Sequence, residues 1–502
     1  MLFILPNNPG DVVMALQTVG RLKAERPDLR CDYLVSDECR SLVEGSPLIR
    51  RVHIIPKQLL KAKWNAGEVT QAVALVEKFL KELSATHYDL SLNLFQEKFG
   101  GVIQSFVNAD QKVGLELIEG RHYRIESRYL EHLAAVPAAR RDNGWHAVDV
   151  YIRAARRALG LSGPGARHDN QQQPSSYYRP RRSTPVLPTL PKPVQAQKLT
   201  PGGYLVFHPG AAWAGKRWPE NNWAELANLA HRAGLTLAFT GAPEERSGME
   251  RILARMQPEA RNAAVDCVGK TTLLEAAWIL VNARLVVTGD TVAMHLAAAA
   301  GTPTLVLFGP SNPVETGPYG QGHIVLQTDP NPLPDLAFQS DHEGLHRLRP
   351  EVVAAYLLEG KLPEDVLVWQ TDWDQDMDMQ ILRDAKQKIH KSHIRAKALM
   401  RALDREEGKP LGRSETLTGN RKSFQEALAN AIAHPNPTAL GLLATEEQSL
   451  AGETRDNLVW EAYRIAVNGL SLQDLPMHLA LRKSRFEKAL YEERQTVFTR
   501  TN

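Results

Sequence analysis

The chain has 502 residues, of which 43% are hydrophobic and 23% are charged, as in an ordinary globular protein. At roughly 100–200 residues per domain, this length predicts about three domains, each able to bury its own core. The 60 basic and 57 acidic side chains give a net charge of +3, which is too small to indicate nucleic-acid binding.

Short apolar runs alternate with helical stretches through the first part of the chain. The run from Leu2 to Leu5 is typical of a buried parallel strand, and apolar residues recur at helical spacing from Val12 to Glu25. Asp11 stands at the start of this helix. Three further strands and a helix are expected at Tyr33–Val35, Val52–Ile55, Leu90–Leu94 and Trp145–Gly160. This alternation predicts a doubly wound, Rossmann-like α/β domain over residues 1–166.

A second alternating series follows a change of composition. Residues 167–203 contain many prolines and little apolar periodicity, which predicts an interdomain linker. Residues 204–361 then predict a second Rossmann-like domain. Its strands and helices are expected at Tyr204–Phe207, Trp223–Ala233, Leu235–Thr240, Leu273–Ala283, Leu285–Thr288, Ala293–Ala300, Thr304–Phe308 and Glu351–Leu358.

The last part of the chain has a different pattern of apolar and charged residues. Residues 362–502 show no strand alternation after Trp369 and predict an all-helical extension. Basic residues follow one another closely in its first helix, at Lys386, Lys388, Lys391 and Arg395. Two roles remain open for this extension, namely the pairing of subunits and peripheral contact with a membrane surface.

Neither a metal site nor a disulfide framework is expected. The cysteines Cys31, Cys39 and Cys267 are too scattered for either, and they favour a cytosolic compartment. The alternating aspartates from Asp372 to Asp378 lack the Gly and Glu that an EF-hand loop needs at its sixth and twelfth positions. The N-terminal run does not resemble a secretory signal, and no apolar run is long enough to span a bilayer.

The strongest candidate site lies within Val286–Pro310, where a strand ends and a helix begins. The first turn of a helix has unpaired N–H groups and a positive dipole end, and therefore binds phosphate. Asp290 and Thr291 stand at this turn, His295 lies one turn further along, and Gly309 follows the next strand. The alternative is that Asp290 and Thr291 are ordinary helix caps and that His295 is a surface histidine.

A second candidate follows the strand that ends at His208. The Gly- and Ala-rich loop after it contains Lys216, whose ammonium group could neutralise a diphosphate. Residues 210–216 match part of a P-loop, but Arg217 stands where a P-loop has the Ser or Thr that holds magnesium. The sequence therefore argues against an ATPase.

Two carboxylates occupy turns where strands give way to helices. Asp11 in the first domain is placed to act as a general base on an acceptor hydroxyl, although it could simply cap its helix. Glu244 in the second domain would suit a ribose diol, with a solvated glutamate as the alternative. Basic residues in loops of the first domain, Lys98, Arg121 and Arg124 among them, could receive an anionic acceptor or form a solvated surface.

Together these segments resemble the ADP-heptose heptosyltransferases, the family nine glycosyltransferases of GT-B fold. The resemblance covers Met1 to about Gly360 and rests on several motifs in a fixed order. They are Pro9-Gly10-Asp11, His146–Tyr151, His208-Pro209-Gly210-Ala211, Lys216 with Trp218-Pro219, Gly241-Ala242, Asp290-Thr291 to His295, and Phe308-Gly309-Pro310.

The resemblance implies an inverting glycosyltransferase that needs no metal or other cofactor. It implies a nucleotide-sugar donor, ADP-heptose by default, and a glycan or glycolipid acceptor such as lipopolysaccharide core. Asp11 would deprotonate the acceptor hydroxyl, and Glu244 would hold the ribose. The diphosphate would be held by Lys216, by the Asp290–Thr291 turn, and by backbone amides near Ala293 and His295.

Three departures from the family pattern bear on the donor and the acceptor. Val292 replaces the usual small residue, Ala211 and Ala212 offer no hydroxyl before the lysine, and the helical extension is an addition. Two alternatives to transfer remain open. One is a non-catalytic scaffold of the same fold, and the other is a nucleotide-sugar epimerase.

Overall fold

The computed structural model describes residues 1–95, 97–118, 122–127, 130, 146–161, 186–328, 344–361, 363, 366–371 and 379–383. They fall into two compact units. The first comprises the described parts of residues 1–83, 146–152 and 169–389, and the second those of residues 84–145 and 153–168. Most of the predicted helical extension therefore lies outside the described residues. Within the described chain, no helix combines the length and the apolarity that crossing a membrane requires.

The N-terminal part of the first unit alternates strands and helices as the sequence predicts. Its three strands are parallel, with β1 paired to β2 and β2 paired to β3. The elements are β1 (Leu2–Ile4), α1 (Pro9–Glu25), β2 (Asp32–Ser36), α2 (Arg40–Val43), β3 (Arg51–Ile55), α3 (Lys57–Asn65) and α4 (Val69–Ser84). Strands β1 and β2 are buried along their whole length, which explains the apolar runs Leu2–Ile4 and Tyr33–Val35.

The second unit contains three paired strands and a helix. Strand β4 runs parallel to β5, and β5 runs antiparallel to β6. The elements are β4 (His87–Asn93), α5 (Lys98–Phe106), β5 (Asn108–Ile118) and β6 (His122–Glu126). Helix α6 (Ala147–Ala158) follows, and its first residues belong to the first unit.

A second, eight-stranded sheet lies entirely in the first unit. Its strand order is β14-β13-β12-β11-β10-β7-β8-β9. The strands are β7 (Tyr204–His208), β8 (Thr236–Phe239), β9 (Val265–Asp266), β10 (Leu285–Gly289), β11 (Thr304–Phe308), β12 (His323–Gln327), β13 (Leu367–Thr371) and β14 (Met379–Arg383). The six strands from β7 to β12 are parallel, and their order reverses between β7 and β10 as in a dinucleotide-binding fold. The Rossmann-like prediction is confirmed here.

Helices cover this second sheet. They are α7 (Glu220–Arg232), α8 (Arg246–Arg255), α9 (Pro258–Ala263), α10 (Leu273–Val281), α11 (Val292–Ala299), α12 (Pro313–Thr316) and α13 (Pro350–Glu359). The core beneath them includes Phe207, Trp223 and Phe239, with the rings of Phe207 and Trp223 5.7 Å apart. Aromatic side chains of this size bury a large apolar area and so stabilise the sheet–helix contact.

The expectation of an all-helical extension over residues 362–502 is wrong at its start, where Leu367–Thr371 and Met379–Arg383 are strands. Strand β13 pairs antiparallel with β12, and β14 pairs antiparallel with β13. Residues Leu367 to Trp369 are buried, and the indole N–H of Trp369 donates to Gln327 Oε1 at 2.9 Å. A short run of β-branched and aromatic residues thus extends the edge of the sheet. The run is too short for its hydrophobic pattern to predict a strand from the sequence.

Candidate functional site

The candidate site lies where the strand order of the second sheet reverses. Strands β7 and β10 are neighbours there, with His208 opposite Thr288 at their carboxyl ends. The turn after β7 contains Lys216, and the turn after β10 contains Asp290. Open α/β sheets bind ligands at this position because the loops on either side of the reversal diverge and leave a crevice.

Lys216 and Asp290 form an ion pair across the crevice. Lys216 Nζ lies 2.6 Å from Asp290 Oδ2, and the two side chains are 22% and 9% exposed. Burial would raise the pKa of Asp290, but the attraction of Lys216 and hydrogen bonds from Lys216 and Ser311 outweigh it, so the pKa is lowered. Asp290 is therefore an ionised anchor that holds the lysine in place.

Two glycines allow the lysine loop to lie directly on the ends of the strands. A Cβ atom on Gly289 would be 3.2 Å from the carbonyl oxygen of Lys216. One on Gly309 would be 3.2 Å from the carbonyl oxygen of Gly215. Gly309, which we predicted as a ligand-binding residue, thus packs against the Lys216 loop. Its role in donor binding stays a prediction.

The first turn of α11 has the features of an anion site. Thr291 is the N-cap residue, but its side chain does not cap the helix, and its hydroxyl lies 3.0 Å from that of Thr288. The N–H groups of the first turn, including that of Ala293, are thus not satisfied by an N-cap side chain. Val292 opens the helix and does not adopt positive φ, so its branched side chain leaves the turn undistorted.

His295 is buried rather than exposed, which rules out a surface histidine. It is 5% exposed, and within the described chain its Nδ1 atom has no hydrogen-bond partner. Burial lowers the pKa of His295 to about 4, even though the nearby carboxylate of Asp290 acts in the opposite direction. The imidazole is therefore neutral at pH 7.

The turn that contains Asp11 packs against this histidine. A Cβ atom placed on Gly10 would lie 2.7 Å from His295 Cδ2, so α1 approaches α11 at a residue without a side chain. The N-cap residue of α1 is Asn8, and the side-chain amide of Asn8 donates to Asp11 Oδ2 at 2.9 Å. Asn8 rather than Asp11 is therefore the N-cap residue, and the turn that contains Asp11 is the part of α1 that contacts His295 of α11. The role of Asp11 as a base stays a prediction.

The structure distinguishes two neighbouring glutamates. Glu244 is exposed, in the short turn Pro243–Glu245 after β8. Glu245 turns inward, and its Oε2 accepts a hydrogen bond from the Ala242 backbone N–H at 2.7 Å. A side chain on Gly210 would overlap the Glu245 carboxylate. Glu245 therefore lies at the ends of β7 and β8, although nothing in the sequence distinguishes it from Glu244.

The predicted acceptor-binding residues belong to the second unit. Lys98 opens α5 and Arg124 lies in β6, but their side chains fall outside what the structure describes. Arg121 as a whole lies outside the described residues. Their role in acceptor binding stays a prediction.

A buried polar network in the first unit links α1 and α6 to the loop after α12. The hydroxyl of Tyr319 donates to Asp149 Oδ1 at 2.7 Å and accepts a hydrogen bond from Arg21. His146 precedes α6, where its Nδ1 accepts the Val148 N–H at 3.2 Å. Its Nε2–H donates to the Gly317 carbonyl at 3.0 Å. No local pattern in the sequence indicates this network, because 298 residues separate Arg21 from Tyr319.

Comparison with family models gives a match over the middle of the chain. The family model described as glycosyltransferase family 9 (heptosyltransferase) matches residues 76–346. Lipooligosaccharide heptosyltransferase 2 of Haemophilus influenzae is 25% identical over 365 residues, which cover 72% of this chain and 97% of that protein. Lipopolysaccharide heptosyltransferase 1 of Pseudomonas aeruginosa is 28% identical over 331 residues, covering 66% and 84% of the two chains.

Solved structures show the same fold. A glycosyl transferase family 9 protein from Veillonella parvula superposes with a TM-score of 0.55 at 20% identity, covering 71% of this chain and 96% of its own. The Escherichia coli heptosyltransferase WaaC with ADP gives a TM-score of 0.51 at 20% identity, with coverages of 72% and 99%. The GT-B fold expected from the sequence is thereby confirmed.

Proposed function

Because the chain belongs to glycosyltransferase family 9, the heptosyltransferases, we propose that it transfers heptose from ADP-heptose to a hydroxyl of a lipopolysaccharide or lipooligosaccharide core. The transfer inverts the anomeric centre and uses no metal. The supporting observation is the packing of the Asp11 turn against α11, with Gly10 facing His295. It brings a carboxylate close to a helix start that is suited to binding a diphosphate.

The donor diphosphate binds at the start of α11 in this proposal. Backbone N–H groups near Ala293 and His295 and the Thr291 hydroxyl donate to its oxygens, and Lys216 neutralises its charge. The 2.6 Å contact with Asp290 holds the Lys216 ammonium group in position before the donor arrives. A preorganised cation favours the transition state because the departing diphosphate gains negative charge.

Asp11 accepts the proton of the acceptor hydroxyl. The hydroxyl oxygen then forms a bond to the anomeric carbon from the face opposite the diphosphate. The bond between that carbon and the diphosphate oxygen breaks, and its electron pair leaves with ADP. Neutral His295, whose pKa is about 4, adds no second cation to the site.

The ribose role predicted for Glu244 is part of the proposal. Its exposed carboxylate follows β8, at the same edge of the sheet as Lys216. Glu245 is held by the Ala242 N–H and supports the turn that presents Glu244. The scaffold and epimerase alternatives are set aside because the family is one of glycosyltransferases.

The test compares Asp11→Asn with the wild type in a turnover assay with ADP-heptose and a heptose-deficient core acceptor. We expect turnover to fall by about 10²–10⁴-fold, the usual contribution of a general base, while ADP still raises the melting temperature. Asp28→Asn is the matched control, because Asp28 pairs with Arg26 just beyond the end of α1 and is 65% exposed. Its turnover should be unchanged.

Three outcomes would contradict the proposal. Wild-type turnover in Asp11→Asn would exclude this residue as the base. Stabilisation by GDP or UDP but not by ADP would exclude the adenine nucleotide donor. Loss of activity in EDTA that added magnesium restores would exclude metal independence, and the anomeric configuration of the product, read by NMR, tests inversion.

A further inference from the structure

Asn8 has an unusual backbone conformation next to the proposed base. Its φ is 61° and its ψ is 106°, and it is the one non-glycine residue with positive φ in the described chain. Positive φ is sparsely populated by residues with a side chain, although Asn tolerates it better than most. Pro9 follows, and a residue before proline normally takes up extended backbone with negative φ. Residues held in such conformations cluster at functional sites.

The side chain of Asn8 does not perform the usual task of an N-cap residue. An N-cap asparagine accepts a hydrogen bond from a backbone N–H of the first helical turn. Asn8 makes no such bond, while its backbone oxygen accepts the N–H of Val12 at 3.1 Å. Its amide Nδ2 donates instead to Asp11 Oδ2 at 2.9 Å. In this conformation the Asn8 side chain does not cap the helix, and its amide donates a hydrogen bond to the Asp11 carboxylate instead.

We infer that Asn8 is a positioning residue for the proposed base. This inference rests on the proposed function, because it gives Asp11 its role. A hydrogen bond donated to a carboxylate favours the ionised form and fixes the orientation of its oxygens. Asn8 therefore keeps Asp11 ready to accept a proton and aligned with the acceptor hydroxyl.

The decisive variant is Asn8→Gly. Glycine adopts positive φ freely, so this change retains the backbone and removes only the amide. We expect kcat to fall by roughly ten- to a hundredfold, with little change in KM for ADP-heptose. The acidic limb of the kcat–pH profile should move to higher pH by up to about one unit, because the carboxylate loses a donor. The melting temperature should be unchanged or higher.

Two further variants separate strain from the hydrogen bond. Asn8→Ala also removes the amide, but alanine resists positive φ, so it should show the same kinetic change with a lower melting temperature. Asn8→Asp accepts the backbone conformation and places a like charge beside Asp11. Its acidic limb should move further than that of Asn8→Gly, because a neighbouring negative charge favours protonation.

The outcomes distinguish this inference from the proposed function. If Asp11→Asn is inactive but Asn8→Gly has the wild-type kcat and acidic limb, the positioning role is overturned and the base remains. If Asp11→Asn turns over like the wild type, the base assignment fails and the positioning role fails with it. A lower kcat with a displaced acidic limb in Asn8→Gly, at an undiminished melting temperature, supports the inference.

Discussion

Gly10 gives the most direct test of the contact between α1 and α11. A Cβ atom at Gly10 would lie 2.7 Å from His295 Cδ2 and 3.2 Å from His295 Nε2. Carbon atoms in contact prefer separations of about 3.5 Å or more, so the change to alanine requires a movement of roughly 0.8 Å. The imidazole cannot simply swing away, because His295 is buried with only 5% of its surface exposed. Gly10→Ala should therefore push the two helices apart.

The expected loss combines two opposing contributions. Alanine is favoured over glycine in a helix by about 1 kcal/mol at most, whereas overpacking a buried contact costs about 1–3 kcal/mol. If the full gain applies, the net effect is a loss of up to about 2 kcal/mol in the free energy of unfolding. Gly20→Ala in the same helix is the matched control, because its Cβ would meet Leu48 Cδ1 at an ordinary 3.5 Å. That variant should gain about 0.5–1 kcal/mol.

Thermal and urea unfolding measure the difference in stability between Gly10→Ala and Gly20→Ala. Turnover assays measure whether the displaced helix also affects Asp11, which follows Gly10 in the chain. We expect Gly10→Ala to melt below the wild type and Gly20→Ala above it, with the larger loss of kcat in Gly10→Ala. The double variant Gly10→Ala/His295→Ala should lose less stability than the sum of the losses in the two single variants, because the close contact is absent without the imidazole. The close contact would be refuted if Gly10→Ala were as stable as Gly20→Ala.

Three further predictions concern buried charge and polarity. Lys216→Met should lower the free energy of unfolding by about 3 kcal/mol, because Asp290, only 9% exposed, loses its partner. It should also abolish stabilisation by ADP in calorimetry, and an unaltered response to ADP would speak against the diphosphate role.

Burial lowers the pKa of His295 and of His323 to about 4, from 6.5. The stability contributed by keeping each ring neutral is complete above pH 6.5 and should be lost as pH falls towards 4, by up to about 3 kcal/mol each. Urea denaturation between pH 7 and pH 4 tests this, and a flat profile would contradict it. Tyr319→Phe removes a hydroxyl that joins two charged side chains, and should cost about 1–3 kcal/mol in chemical denaturation. A variant as stable as the wild type would show that this network contributes little.

The sequence by itself was informative wherever the determining interactions are local. The apolar runs that became β1, β7, β10 and β11 stand out because a buried parallel strand is apolar along its length. The turn at Asp290 and Thr291 could be located for the same reason, since a strand, a turn and a helix start follow one another within a few residues. The order of these motifs was enough to identify the family.

Short or edge elements were harder to predict. Strand β13 has five residues and gains its stability from pairing with β12, which lies about 40 residues earlier in the chain. Glu244 and Glu245 are adjacent, and nothing in their order indicates which one turns towards Gly210. That choice depends on the space left by a glycine in a different loop.

The tertiary structure alone decided how the site is assembled. Lys216 and Asp290 are 74 residues apart, and they meet because β7 and β10 are neighbours where the strand order reverses. His295 is neutral because the packing of α1 against α11 buries it, and burial disfavours the charged ring. Local sequence carries information about local backbone preference. Contacts between distant residues, and the burial that shifts a pKa, arise only when the elements pack together.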